Sequence, residues 1–395
     1  MSNVVVFQDM LNQLNTLKKI IDENPDDWEY KKQAANKYEC IFSVVKRESH
    51  DHSEWRVAGK SKHFFSKLRP FNISIADVYP ISRAYFKMTE LSHYIINEGP
   101  PSIQKIYNDP IRVLHLAESP GGFIQSWRSM REKKGIIDDS TGITIQKKKG
   151  QDPWYRLREI TGSWKTCPPK LVIGDLFDSD FRQKIYNDYS EKKAMLVTAD
   201  GGFDFSEDYC SQEQQATPLI LAEFITALYC LSPGGSLILK VFDVVTLPMI
   251  QLLWVCSKCF IDFKLVKPKT SRVCNSEKYI VAKGFKGMNH NIQKFITKNE
   301  EKLITKSSIL TLFEKGPLVD FKTMDPAFCN SYFQCVGKLM KSQIENIKYA
   351  LTINPEESEA SRKYRQDKYI KYAREWCLKY EIPIKSYFFK IYDLP

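Results

Sequence analysis

The strongest constraint in this sequence is a rhythm of short apolar runs, each of strand length, separated by segments long enough for a helix. The runs are IRVLHLA (111–117), GITI (142–145), KLVIGD (170–175), AMLVTAD (194–200), SLILKVFD (236–243) and EKYIVAKGF (277–285). Helix-length segments lie between several of them, notably 217–231 and 246–259. Strands that alternate with helices build α/β domains around a largely parallel sheet, with helices on both faces. That fold class is expected here, and no internal repeat competes with it.

The rhythm occupies the middle of the chain, so the expected organisation is a helical N-terminal extension (1–75), an α/β domain (76–287) and a basic, mostly helical C-terminal region (288–395). Phe7, Leu11, Leu14, Leu17 and Ile21 fall at helical spacing and predict an amphipathic helix over about 5–22, ended at Asn24-Pro25-Asp26-Asp27. Its apolar stripe docks on a partner or, more commonly for such stripes, on the body of the same protein. The polar stretch 48–63 reads as a surface loop. Near the C-terminus, Tyr369, Tyr372, Trp376 and Tyr380 fall three or four residues apart among Lys and Arg. Such a helix buries its aromatics against its own domain, or turns them with the cations toward RNA.

Composition removes other classes. A hydrophobic fraction of 43% argues against a largely disordered chain. The longest apolar run, Leu219–Leu231, is interrupted by Glu223 and Thr226 and falls short of the ~18 residues of a membrane span. The first residues carry no basic segment and soon reach Asp9, which argues against a secretory signal. Ten scattered cysteines fit reduced thiols and a cytoplasmic setting better than a disulfide scaffold. Cys256 and Cys259 have no second pair at zinc-site spacing and read as small buried hydrophobes; His50-Asp51-His52 reads as a polar loop, so no metal is expected. The net charge of +11 permits an anionic partner without naming one.

Chemistry gathers at the ends of the predicted strands. Glu118-Ser119-Pro120-Gly121-Gly122-Phe123 stands where the first strand feeds a helix, and paired glycines there let a backbone approach a nucleotide-type ligand. The loop matches neither GxGxxG nor a P-loop, which disfavours NAD and NTP enzymes. Asp200 closes the run AMLVTA, Lys240 sits inside SLILKVFD, and Glu277 opens the last run. A lysine within an apolar strand needs a partner, either a structural ion pair or a site.

Taken together, LHLAESPGGFIQSW, LVTADGGFDFS, GGSLILKVFD and KTSRVCNSEKYIVAKG resemble successive motifs of the FtsJ/RrmJ-like methyltransferases, and ISRAYFKMTEL resembles the helix carrying that family's first catalytic lysine. The resemblance covers about Ile81 to Gly287, in the family's order. It is greatest to the eukaryotic and viral mRNA cap 2′-O-methyltransferases, including those of African swine fever virus-type cytoplasmic DNA viruses. It implies a Rossmann-like sheet, S-adenosylmethionine as cofactor, and capped mRNA with the capping or transcription machinery as partners. It also implies a catalytic tetrad of Lys87, Asp200, Lys240 and Glu277. The cofactor would lie against Glu118, Ser119, Pro120, Gly121, Gly122, Phe123 and Asp200, with Asp175 near the adenine. The family's acidic ribose partner after the second strand has no counterpart in GITIQKKKG. Trp154, Tyr155, Phe203, Phe205 and Tyr209 are aromatics near site loops from which a cap-stacking pair could come. Within the same resemblance, the alternatives are ribosomal or transfer RNA 2′-O-methylation, and a catalytically silent RNA-binding scaffold.

Overall fold

A computed structural model describes residues 2–23, 25–41, 73–98, 101–146, 150–161, 167–203, 208–305 and 324–388. The expected loop 48–63 and the His50-Asp51-His52 triplet lie outside them. Seven strands form one sheet: β1 (Arg112–Leu116), β2 (Asp139–Thr144), β3 (Lys170–Ile173), β4 (Ala194–Ala199), β5 (Leu231–Val241), β6 (Phe260–Val266) and β7 (Lys278–Phe285). Their spatial order is β3-β2-β1-β4-β5-β7-β6. β1 to β5 are parallel, and β7 enters antiparallel between β5 and β6. The chain runs outward from β1 to β3 and then returns to place β4 on the other side of β1. Such a reversal opens a crevice at the carboxyl ends of the two strands.

The six apolar runs all become strands, and β6 is an addition to them. The reason lies in its position at the sheet edge: Asp262 and Lys264 break its apolar pattern, and Asp262 pairs across to Lys283 of β7 at 3.0 Å. An edge strand tolerates charge, as β6 does, although β3 at the other edge keeps the apolar Leu171, Val172 and Ile173.

Helices cover both faces. Met88, Leu91 and Ile95 of α3 (Ala84–Asn97), Ile103 of α4 (Pro101–Ile106), and Phe123 and Trp127 of α5 (Gly122–Glu132) form one core. They pack on Val113, Leu196, Ile238 and Val281, which share one face of the sheet. Outside that core, α7 (Ser179–Asp188) packs on α8 (Gln212–Cys230), α8 packs on β4 and β5, and α10 (His290–Ile304) packs on α8. Two further helices are α6 (Tyr155–Thr161), after β2, and α9 (Leu247–Cys259), before β6. Cys256 and Cys259 lie buried in α9, and burial pushes both thiols up, Cys259 to about 11. They are neutral packing groups, as their apolar context implied.

The chain divides into two compact units. The sheet belongs to the first, made of Met1–Asn12, Pro80–Pro268 and Ser276–Met340. Phe7 of α1 (Ser2–Glu23) stacks there against Tyr332 and Phe333, with centroids 5.8 and 5.3 Å away. The N-terminal stripe therefore packs on its own chain, and Leu14, Leu17 and Ile21 are buried as well. The second unit comprises Gln13–Tyr79, Lys269–Asn275 and Lys341–Pro395. It holds α2 (Pro25–Ala34), whose Tyr30 hydroxyl donates to Glu357 at 2.9 Å, and a bridge between Ala76 and Ile384. The helix Glu359–Lys379 buries Tyr369 and Trp376 in it, and Tyr372 packs on Tyr38 with centroids 6.2 Å apart. Two of the stripe's four aromatics, Tyr369 and Trp376, thus serve packing, while Tyr372 and Tyr380 are half-buried.

One buried network fastens α5 to the start of β1 and β2. The Asp138 carboxylate accepts from Arg131 Nε at 2.7 Å, Trp127 Nε1 at 2.8 Å and the Ile111 amide at 2.9 Å. Removing one member of a buried ion pair strands the other charge, which costs about 3–5 kcal/mol. Asp138→Ala should therefore lower the thermal midpoint by several degrees in a calorimetric melt. An unchanged midpoint would show that the network is dispensable.

Candidate active site

The site begins at the carboxyl end of β1. Ala117 takes a left-handed φ of 50°, and Gly121, at 110°, caps the start of α5. Glu118 closes the turn: its carbonyl accepts from the Gly121 amide at 2.8 Å, and its carboxyl Oε1 accepts from the Phe123 amide at 2.6 Å. Ser119 ties the loop to Pro153 at 2.7 Å, and a cis peptide bond joins Ser119 to Pro120. Both glycines answer to protein neighbours. A Cβ on Gly121 would stand 2.8 Å from the Leu157 side chain, and one on Gly122 would stand 2.4 Å from Ser82 Oγ. The glycine pair is thus required by the backbone turn and by close approach of α6 and the start of α3.

Four charged side chains from four separate segments converge nearby. Lys87 comes from α3, Asp200 from the end of β4, Lys240 from β5, and Glu277 from the residue before β7. Lys87 Nζ donates to Glu277 at 3.0 Å and lies 4.0 Å from Asp200. Lys240 Nζ lies 3.2 Å from the Asp200 carboxylate and donates to the Asp200 carbonyl at 2.8 Å. All four are largely shielded from solvent, which strengthens each pairing.

Two further side chains complete the arrangement. The Tyr279 hydroxyl donates to Asp200 Oδ1 at 2.7 Å, and its ring lies 5.7 Å below the Lys87 ammonium. Glu223, fully buried in α8, accepts from the Gly201 amide at 3.0 Å. Sequence reasoning noted Glu223 only as an interruption of the apolar run Leu219–Leu231. A carboxylate in such a run was the available signal, since buried charge needs a partner or a proton.

Burial and charge set the protonation pattern. Burial pushes Lys87 down, but Asp200 and Glu277 outweigh it and hold the ammonium above its ordinary range. Burial, reinforced by Asp200, raises Glu118 well above the usual carboxylate range, and its Oε2 has no hydrogen-bond partner among the described residues. Burial also takes Glu223 up to about 8 and His115, on β1, down to about 3. Asp175 follows β3, two strands from β1, and its carboxylate accepts from the Phe177 amide at 2.9 Å. It stands on the same edge of the sheet but apart from the four converging groups. Of the aromatics, Trp154 is buried in a cluster with Ile124 and Leu157, Tyr155 and Phe203 are exposed, and Phe205 lies outside the described residues.

The profile of the FtsJ-like methyltransferases matches residues 80–285, just over half of the chain. The chain belongs to the FtsJ-like methyltransferase family. Its relatives include the cap-specific mRNA (nucleoside-2′-O-)-methyltransferase 1 of Xenopus laevis, 26% identical over 247 residues, or 56% of this chain and 27% of the relative. The protein of the same name from Danio rerio is 34% identical over 231 residues, 54% of this chain and 27% of the relative. That of Trypanosoma brucei brucei is 30% identical over 169 residues, 42% and 45% respectively. The chain therefore spans between about a quarter and a half of the length of these curated relatives. Among solved structures, a ribosomal RNA methyltransferase from Plasmodium falciparum covers 52% of this chain and 98% of its own, with 17% identity and a TM-score of 0.38.

The raised Glu118 has a measurable consequence. The folded protein keeps the Glu118 proton at a pH where the unfolded chain, near the ordinary 4.5, has lost it. Its contribution to stability is complete below that value and is lost as pH rises toward the folded pKa. Glu118→Gln cannot ionise and retains an acceptor for the Phe123 amide. The drop in melting temperature between about pH 5 and about pH 8 should be smaller in this variant than in the wild type. An equal drop in both would show that Glu118 ionises freely in the fold.

Proposed function

We propose that this protein transfers a methyl group from S-adenosylmethionine to a ribose 2′-hydroxyl near the 5′ cap of mRNA. The observation that carries the reading is the convergence of Lys87, Asp200, Lys240 and Glu277 at the reversal point of a methyltransferase-family sheet. The relatives named for cap-specific 2′-O-methylation support the same substrate.

The residues at the β1–β4 crevice fit the cofactor. Glu118 has a buried carboxyl oxygen without a partner among the described residues, and Asp200 brings negative charge to the side where a sulfonium would sit. Asp175, on the same edge, is the candidate for the adenine end. Bound S-adenosylmethionine supplies an already activated, electrophilic methyl group. The chain must align a hydroxyl with it and remove one proton.

Lys87 stays an ammonium under Asp200 and Glu277, so its part is to stabilise negative charge developing on the 2′-oxygen. That leaves Lys240, in its neutral form, to take the hydroxyl proton as the O–C bond would form and the sulfonium S–C bond would break, with S-adenosylhomocysteine as the leaving thioether. Asp200 orients Lys240, and Glu277 orients Lys87. Tyr279 holds Asp200 against rotation. No residue need be covalently modified. Tyr155 and Phe203, the exposed aromatics, are the candidates for stacking on a methylated guanine, and the surplus of Lys and Arg suits RNA phosphates. Origin in a large cytoplasmic DNA virus, action in the host cytoplasm and association with capping machinery belong to the same reading.

The test is labelled methyl transfer to matched short RNAs carrying a 7-methylguanosine cap, only a 5′-triphosphate, or a cap with the first 2′-hydroxyl already methylated. Label confined to the capped, unmethylated RNA is expected for action at the first nucleotide; label in the premethylated RNA moves the target to the second or an internal one. Uncapped RNA as the best acceptor would replace the cap reading with ribosomal or transfer RNA methylation. Lys240→Ala should lower kcat by at least about 100-fold while the protein stays folded. Normal turnover by that variant would remove Lys240 from the chemistry.

A further inference from the structure

The turn Asp200-Gly201-Gly202 is held between two side chains. On Gly201, a Cβ would stand 2.2 Å from Glu223 Oε1; on Gly202, one would stand 3.0 Å from Lys240 Nζ. The turn that carries Asp200 thus has no room for a side chain at Gly201 unless Glu223 moves, because Glu223 braces it from α8, and Lys240 from β5 rests close on Gly202. We infer that Glu223 is a positioning residue for the proposed methyl transfer: its buried carboxyl, hydrogen-bonded to the Gly201 amide, sets the turn from which Asp200 holds Lys240, and a charge placed there would disturb that arrangement. The inference rests on the transfer reading above and adds to it a residue outside the tetrad.

Glu223 is fully buried, Oε1 accepts from the Gly201 amide at 3.0 Å, and Oε2 has no hydrogen-bond partner among the described residues. A carboxylate so enclosed lacks the donors that would replace its hydration, so the neutral acid is the favoured form at neutral pH. Burial raises it to about 8; Lys240 and the Gly201 amide oppose the rise, and Asp200 adds to it. Lys240 from β5 and Asp200 from the β4 end are the charged groups that act on it. Losing the proton places a second negative charge beside Asp200. That charge repels Asp200 and competes with it for Lys240, which disturbs the pairing the transfer reading depends on.

The decisive experiment compares the wild type, Glu223→Ala and Glu223→Gln in kcat against pH, with amide NMR of Gly201 and Gly202 recorded over the same range. Glu223→Ala should lower kcat by about 10- to 100-fold with little change in KM for RNA, because the turn loses its brace. Glu223→Gln, which keeps an acceptor for the Gly201 amide, should recover most of that loss. The fall in wild-type kcat through about pH 8 should vanish in Glu223→Gln, and so should a pH-dependent shift of the two glycine amides. An alanine variant with wild-type turnover, or the same alkaline fall in the glutamine variant, overturns the inference. If the alanine variant does not fold, the glutamine profile decides. If no RNA accepts methyl from the wild type, the transfer reading fails by itself. The amides then report on Glu223 alone: movement near pH 8 upholds its coupling to the turn, and no movement refutes it.

Discussion

The carboxylate of Asp200 is the interaction on which the site depends. It ends β4 beside the point where the strand order reverses, and it is paired to Lys240, bonded by Tyr279 and faced by Lys87. These partners come from β5, β7 and α3, which are far apart in sequence. None of them could be fixed without the sheet, because only the registers of β4 on β5 and of β5 on β7 bring their ends to one edge. Lys240 lies opposite Tyr279 in that register, so the antiparallel entry of β7 is what presents both to Asp200. The sheet sets the distances, and the ion pairs add local electrostatic order to a geometry already made.

The charges are balanced in an uneven way. Two lysines face two carboxylates, Asp200 and Glu277, while Glu118 and Glu223 stand close by with their pKa values raised by burial. Four ionised carboxyls around two ammonium groups would leave a net negative pocket with little solvent to screen it. Holding two of them as neutral acids avoids that repulsion and keeps hydrogen-bonding atoms in place. The same two acids brace the two backbone turns of the site. Glu118 closes the loop after β1 and Glu223 the turn after β4. Protonation and backbone geometry are therefore one problem here, since the turn amides of Phe123 and Gly201 donate to the same carboxyls whose burial opposes ionisation.

Much of this was legible in the sequence, for identifiable reasons. The interior strands β1, β4, β5 and β7 are mostly buried and so are mostly apolar, and even β3 at the sheet edge keeps Leu171, Val172 and Ile173, so all of them are legible as apolar runs. Lys240 stood out because a cation in such a run demands a partner. β6 stayed hidden because an edge strand tolerates Asp262 and Lys264, and with it went the antiparallel position of β7. Tyr279 gave no signal, because an aromatic in an apolar strand is ordinary packing until its hydroxyl is seen to reach Asp200. The C-terminal aromatic stripe was ambiguous for a related reason: spacing reports which residues share a helix face but not what the face meets. Its burial of Tyr369 and Trp376 is a fact of tertiary structure alone.

The Gly121–Gly122 loop shows how one residue pattern serves two demands at once. Paired glycines after the first strand read as room for a ligand, yet the space beside each Cα is taken by Leu157 and by Ser82. Absence of a side chain is needed first for φ at Gly121 and for the close approach of α6 and the start of α3. A ligand-facing role would have to be met by the backbone and by Glu118 Oε2, which has no partner among the described residues, not by a gap left by the glycines. Bulk introduced at either glycine would accordingly disturb the fold before it could compete with a cofactor. Probing the crevice therefore calls for isosteric changes at Glu118, which alter charge and hydrogen bonding while leaving the turn its acceptor.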